Sequence, residues 1–230
     1  MKIFRFAVAI LIATNSMNAM TQGLNGLKSD GLSDLERFVN TSQSLRAAFS
    51  QNTAGKKAVF TGSFELQRPG QFRFHYTAPF EQLIVSDGKT LSIHDVDLNQ
   101  VTQRKLGLAS AFAPVLQVAS AKDFAALNRV FDLKALPDAH GMSWASAAPK
   151  ASAMGEAADL GQAGIASGAG TRVELGFRTV GNKPMLSQMV MVDSSGLRTT
   201  LNFAQVQTGV GFAPKHFSFT PPAGASVLAQ

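Results

Sequence analysis

The chain has 230 residues, of which 45% are apolar and 16% charged, so one domain with a sizeable core is attainable. Its formal charge of +6 is scattered, whereas a nucleic-acid footprint requires clustering. Cysteine is absent, which excludes a disulfide framework and a lipid anchor on an N-terminal Cys.

Lys2 and Arg5, the apolar run Phe6 to Ala13 and the small residues Ser16 to Ala19 predict a secretory signal peptide over 1–19. The run is too short for a permanent membrane helix. Residues 20–31 read as a lead-in. Ser33 and Glu36 have the spacing of a capping box, opening a helix with Leu35, Phe38 and Val39 on one stripe and an end near Ser42. Leu45, Ala47, Phe49 and Gln51 then switch to period two, a first strand.

A hairpin follows over 60–76. Phe60, Gly62, Phe64 and Leu66 alternate with Thr61, Ser63, Glu65 and Gln67, and after Arg68-Pro69-Gly70 the residues Phe72, Phe74 and Tyr76 alternate with Arg73 and His75. One face is strongly aromatic and must lie on apolar material. That material is either the protein's own core or a hydrocarbon ligand. Ala78-Pro79 breaks the pattern, and Leu83-Ile84-Val85 begins another strand. Asp87-Gly88 supplies a tight turn, Leu91 and Ile93 form the return, and Leu98 to Lys105 makes a further strand.

Between Leu108 and Phe131 the spacing is helical, with Phe112, Val115, Leu116 and Ala119, then Phe124, Leu127 and Val130, and Pro114 early in the first of two short helices. From Ala145 to Gly170 the chain is mostly Ala, Gly and Ser with few branched or aromatic residues, too poor in bulk to offset its ordering entropy; it reads as a mobile insert. Strands resume at Arg172–Arg178, Met185–Val192 and Leu197–Val206, with Met185, Met189 and Met191 on one face, and a last short strand holds Phe217 and Phe219. The sum is a mainly β (α+β) domain over 20–230: roughly ten strands in a strongly curved antiparallel sheet with helices against one face.

Catalytic signatures are sparse. His75, His94, His140 and His216 form no ligand pair at helical spacing, no Gly-x-Ser-x-Gly elbow exists, and no Gly-rich phosphate loop follows a strand. No enzyme, metal or cofactor is expected. A hydrolase using His75 or His94 with a carboxylate is the alternative from another class.

Ala48-Phe49-Ser50-Gln51, the run Gly62 to Phe74, the run Pro79 to Leu91, Asp97 to Thr102 and the tail Phe217 to Gly224 together resemble the LolA family, periplasmic carriers of outer-membrane lipoproteins. The resemblance covers about residues 33–135 and 171–228. It implies an open, incomplete antiparallel β-barrel whose short helices form a lid over an apolar cavity. Arg68 matches the family's arginine that bonds the lid, and Phe72 an aromatic needed for lipoprotein exchange. The residues expected to meet acyl chains are Phe60, Phe64, Leu66, Phe72, Phe74, Tyr76, Val85, Ile93, Phe112, Leu116, Met189, Met191 and Phe203.

The resemblance also implies a monomer in the periplasm with no nucleic-acid partner. It would take lipoproteins from an inner-membrane ABC exporter and give them to a receptor lipoprotein on the outer membrane. Ser92 and His94 stand where the family usually carries aromatics, and the insert is longer than the usual connection. Both keep open a relative that carries another lipid, such as a glycolipid.

Overall fold

The computed structural model describes residues 30–106, 117–118, 121–150 and 171–229. The expected signal peptide, Phe112, Val115 and Leu116 of the expected lid, and residues 151–170 of the expected insert lie outside the described residues.

Helix α1 runs Gly31–Thr41. Its N-cap is Asp30, whose Oδ1 accepts the Ser33 N–H at 2.8 Å, in place of the Ser33–Glu36 box. Asp30 supplies the acceptor one turn earlier, and the first helical residue is Gly31, where a methyl would overlap the Trp144 main chain. Leu35, Phe38 and Val39 are buried on its inner stripe, as the spacing predicts.

Strands β1 (Ser44–Thr53), β2 (Val59–Gln67), β3 (Gln71–Ala78), β4 (Gln82–Asp87), β5 (Thr90–Asp95) and β6 (Gln100–Lys105) form a meander. The β4–β5 turn is the expected one: Asp87 Oδ1 accepts the N–H groups of Lys89 and Thr90, and Gly88 takes φ +92°. Helix α2 (Phe124–Val130) buries Leu127 and starts on Asp123, whose side chain accepts the Ala126 N–H. It is the second of the two predicted helices; of the first, only Gln117 and Val118 are described.

A second meander follows: β7 (Phe131–Ala139), β8 (Met142–Pro149), β9 (Arg172–Val180), β10 (Lys183–Val192) and β11 (Arg198–Thr208). β11 pairs with β1 and so joins the two halves. The tail crosses back, and β12 (Ser226–Ala229) adds in parallel to β6. Among the described residues all twelve strands lie in one sheet, in the order β12-β6-β5-β4-β3-β2-β1-β11-β10-β9-β8-β7. Its edges, β12 and β7, do not pair, so the barrel is open, as expected. One core cluster gathers α1, α2 and side chains from β1 to β5 and β7 to β11; the sheet therefore curves around the helices. No described helix is long and apolar enough to cross a membrane.

Three further expectations change. Residues 145–149, expected in the mobile insert, belong to β8, where Ala145 and Ala147 are fully buried in the cluster that contains Leu35 and Phe38. Small side chains there let α1 approach the sheet, so low bulk marks close packing. Phe217 and Phe219 lie outside any strand, and the terminal strand is β12 instead. The methionines do not share one face. The β10–β9 pairing shifts between Leu186 and Gln188, and a bulge residue swaps faces; Leu186, Met189 and Met191 point into the core cluster and Met185 points away.

Candidate lipid-binding face and its closing arginine

Strand pairing sets the concave face. Phe64 lies opposite Phe74 and Ala47, Leu66 opposite Phe72 and Leu45, and Phe74 opposite Ile84, which faces Ile93. Directly paired residues project to the same side of a sheet, so this row forms a continuous apolar wall. Its rings interlock: Phe64 stacks on Phe74 with centroids 4.3 Å apart, and Phe49 meets Tyr76 edge-on at 4.9 Å. The opposite wall brings Met189, Met191, Leu201 and Phe203, and Phe203 reaches Phe64 at 5.7 Å. Tyr76 satisfies its hydroxyl by donating to Gln51 Oε1 at 2.9 Å, and burial pushes its phenol well above the ordinary value.

Arg68 sits at the β2–β3 turn, 7% exposed. Its Nε donates to the Ser42 carbonyl at 3.1 Å, just beyond α1. Its Nη1 donates to the carbonyls of Val118 at 3.4 Å and Ala121 at 2.6 Å. The guanidinium lies 5.8 Å from the centre of the Phe38 ring, a cation–π contact. The Ala121 N–H in turn donates to the Gln117 carbonyl, so Arg68 caps the end of a helical turn, where carbonyls lack internal partners. Burial lowers its pKa to about 10, which leaves it charged at neutral pH. The arrangement clamps the segment containing Val118 onto the end of the aromatic wall by hydrogen bonds to main-chain oxygens.

At the other end of β2 and β3 a cleft of about 310 Å³ opens, lined by Phe60, Tyr76, Phe80, Leu98, Gln51 and the acidic side chains of Glu81, Asp95 and Asp97. Phe80 and Leu98 stand 62% and 70% exposed.

The family model for the outer membrane lipoprotein carrier protein LolA matches residues 40–161. The chain belongs to the LolA family. An outer-membrane lipoprotein carrier protein of Methylibium petroleiphilum is 39% identical over 206 residues, 88% of this chain and 91% of that one. Another, from Albidiferax ferrireducens, is 38% identical over 216 residues, 90% of this chain and 94% of its own. Among solved structures, a LolA superfamily protein from Nitrosomonas europaea aligns at 12% identity with a TM-score of 0.46, covering 82% of this chain and 96% of its own.

Of the residues singled out in the sequence, Phe64, Leu66, Phe72, Phe74, Tyr76, Ile93, Met189, Met191 and Phe203 meet in the core cluster, and Phe60 packs against it. Phe112 and Leu116 lie outside the described residues. Val85 does not join them. It pairs with Arg73 and Ser92, which places it on the outer face; the run Leu83-Ile84-Val85-Ser86 is buried throughout and carries no alternation from which to read this. Ser92 and His94 share that outer face, where His94 lies 5.8 Å from the Phe219 ring; they do not reshape the inner wall. The residues that the sequence left out of the site are Phe38, on the apolar helix stripe, Phe49 and Gln51, on the period-two positions of the first strand, and the carbonyl partners of Arg68, for which side-chain identity carries no signal.

Proposed function

We propose that this chain is a non-catalytic periplasmic carrier that shelters the acyl chains of lipoproteins on the concave face. The observation that carries this reading is the aromatic wall ending in a buried arginine bonded to main-chain carbonyls. Burying acyl chain is worth about 0.8 kcal/mol per methylene, so a chain of about fifteen is worth roughly 12 kcal/mol and does not cross water unaided. A carrier must offer matching apolar surface and still release it. A face closed by a few hydrogen bonds, each worth about 1.5–3 kcal/mol when charged, opens more readily than a rigid pocket. The wall is filled by its own rings, with Phe64, Phe72 and Phe74 buried; cargo therefore requires the clamped segment to lift. The adaptable thioethers of Met189 and Met191 suit disordered chains.

The names borne by its relatives support lipoproteins as the cargo. In this reading an inner-membrane ABC exporter loads the carrier and a higher-affinity receptor lipoprotein on the outer membrane empties it. The glycolipid alternative loses its sequence support at Ser92 and His94, which face away from the wall.

The test is release of a labelled lipoprotein from spheroplasts by purified residues 20–230, with Phe72→Glu as control. Release by the wild type alone is expected, because an unpaired carboxylate on that wall opposes acyl binding. Equal release by the variant, or none by folded wild type, overturns the assignment.

A further inference from the structure

The cleft bounded by Phe60, Tyr76, Phe80 and Leu98 is continuous with the acyl-binding wall, because Phe60 and Tyr76 belong to both. From Gln67, beside Arg68, to Phe60 is seven steps along β2, about 23 Å of strand. The Arg68 end is occupied by the Val118 and Ala121 carbonyls. A lipid held along the wall is covalently joined to a hydrophilic polypeptide, which has to leave where the wall meets water.

The rim of this cleft is acidic on a chain whose net charge is +6. It is also held in shape: Asp95 Oδ1 accepts the Leu98 N–H at 3.0 Å, and the Val96 N–H donates to the Glu81 carbonyl at 3.2 Å. Glu81 meets His75 at 2.9 Å, leaving Asp97 beside exposed Leu98.

We propose, resting on the carrier reading above, that this cleft is the exit for the cargo polypeptide. Its acidic rim favours cargo with Lys or Arg next to the lipidated residue. The apolar lip takes the glyceryl end of the lipid, and Glu81 and Asp97 attract the cations that follow it.

The test titrates the purified chain with dipalmitoylglyceryl-cysteinyl pentapeptides carrying Lys-Lys, Ser-Ser or Glu-Glu after the cysteine. The Lys-Lys peptide is expected to bind about three- to tenfold more tightly than Ser-Ser, with Glu-Glu weakest. High salt should shrink the difference. In Glu81→Gln/Asp97→Asn, which keeps the hydrogen-bonding shape, the three affinities should draw toward the Ser-Ser value, with Asp95 leaving a smaller residual difference. Equal affinities in the wild type, or discrimination undiminished in the double variant, overturns the exit. If no peptide binds, Ser-Ser included, the carrier reading itself fails and the exit falls with it.

Discussion

Arg68 and Ala121, 53 positions apart, are joined by a 2.6 Å hydrogen bond from guanidinium to main-chain carbonyl. That bond ties the β2–β3 turn to the segment lying over the wall. Arg68→Leu removes it, together with the bonds to Ser42 and Val118, and also removes the cost of burying a cation. The two effects oppose, so the loss of folding stability is expected to be about 1–2 kcal/mol, roughly 3–6 °C in Tm. Binding of an apolar dye such as bis-ANS should rise, because the wall is less firmly closed. Unchanged dye binding by a folded variant would show that Arg68 does not control access.

Gly31 limits how closely α1 meets the sheet. A methyl at this position overlaps the Trp144 main chain, so Gly31→Ala must push the helix away from β8. The intrinsic helix preference of alanine favours the substitution by up to about 1 kcal/mol, but overpacking costs typically about 1–3 kcal/mol. A net loss is expected in urea unfolding. A gain would mean that α1 begins later than Gly31 in solution.

The hairpin was legible because its two strands alternate cleanly around a turn, and so were the inner stripe of α1 and the Asp-Gly turn. β7 and β8 were not. β7 is an edge strand containing Pro137, and its pairing with β8 shifts between Leu136 and Ala139, which is where sheets tolerate proline. β8 alternates Ala with Ser and Trp, so composition resembled a loop. The bulge in β10 left no compositional mark, and one inserted residue was enough to turn Met185 outward. Arg68 stands out in the sequence by its place at the turn, but its partners are carbonyls, which every residue has.

Glu174 gives the fold an acid-sensitive tie. Burial pushes its pKa up, but bonds from Arg198 (2.7 Å) and Arg172 (2.8 Å) outweigh that and hold it below the ordinary 4.5. A carboxylate lowered on folding contributes stability that is present above its unfolded value and is lost as pH falls through the folded one. Wild-type stability should therefore decline below about pH 4.5. Glu174→Gln should be less stable at pH 7 by roughly 0.5–1 kcal/mol, since both arginines are about half exposed, and should show a shallower decline in acid. Part of the slope should remain, because Glu65 is lowered in the same sense: burial raises it, and bonds from His216 and Arg46 outweigh that. Parallel pH profiles for wild type and variant would remove Glu174 as the cause.

The tail crosses the outer face as a separate strap. Phe217, 4% exposed, packs between Phe212 and His216, with ring centroids 5.0 Å from each. His216 Nε2 lies 2.6 Å from Glu65 Oε2, and Arg46 holds the other carboxylate oxygen at 2.8 Å. Further on, Phe219 covers His94, and the chain ends as β12 on the edge of β6. None of these contacts reaches the concave wall, so loosening the strap should leave that wall intact. Phe217→Ala is expected to cost about 2–3 kcal/mol, below the usual range for a central phenylalanine because the knot lies at the surface. Hydrogen exchange should speed up over residues 213–229 while β1 to β5 keep their protection, as expected for a unit that opens on its own. Equal loss of protection in β2 and β3 would show instead that the strap and the barrel unfold together.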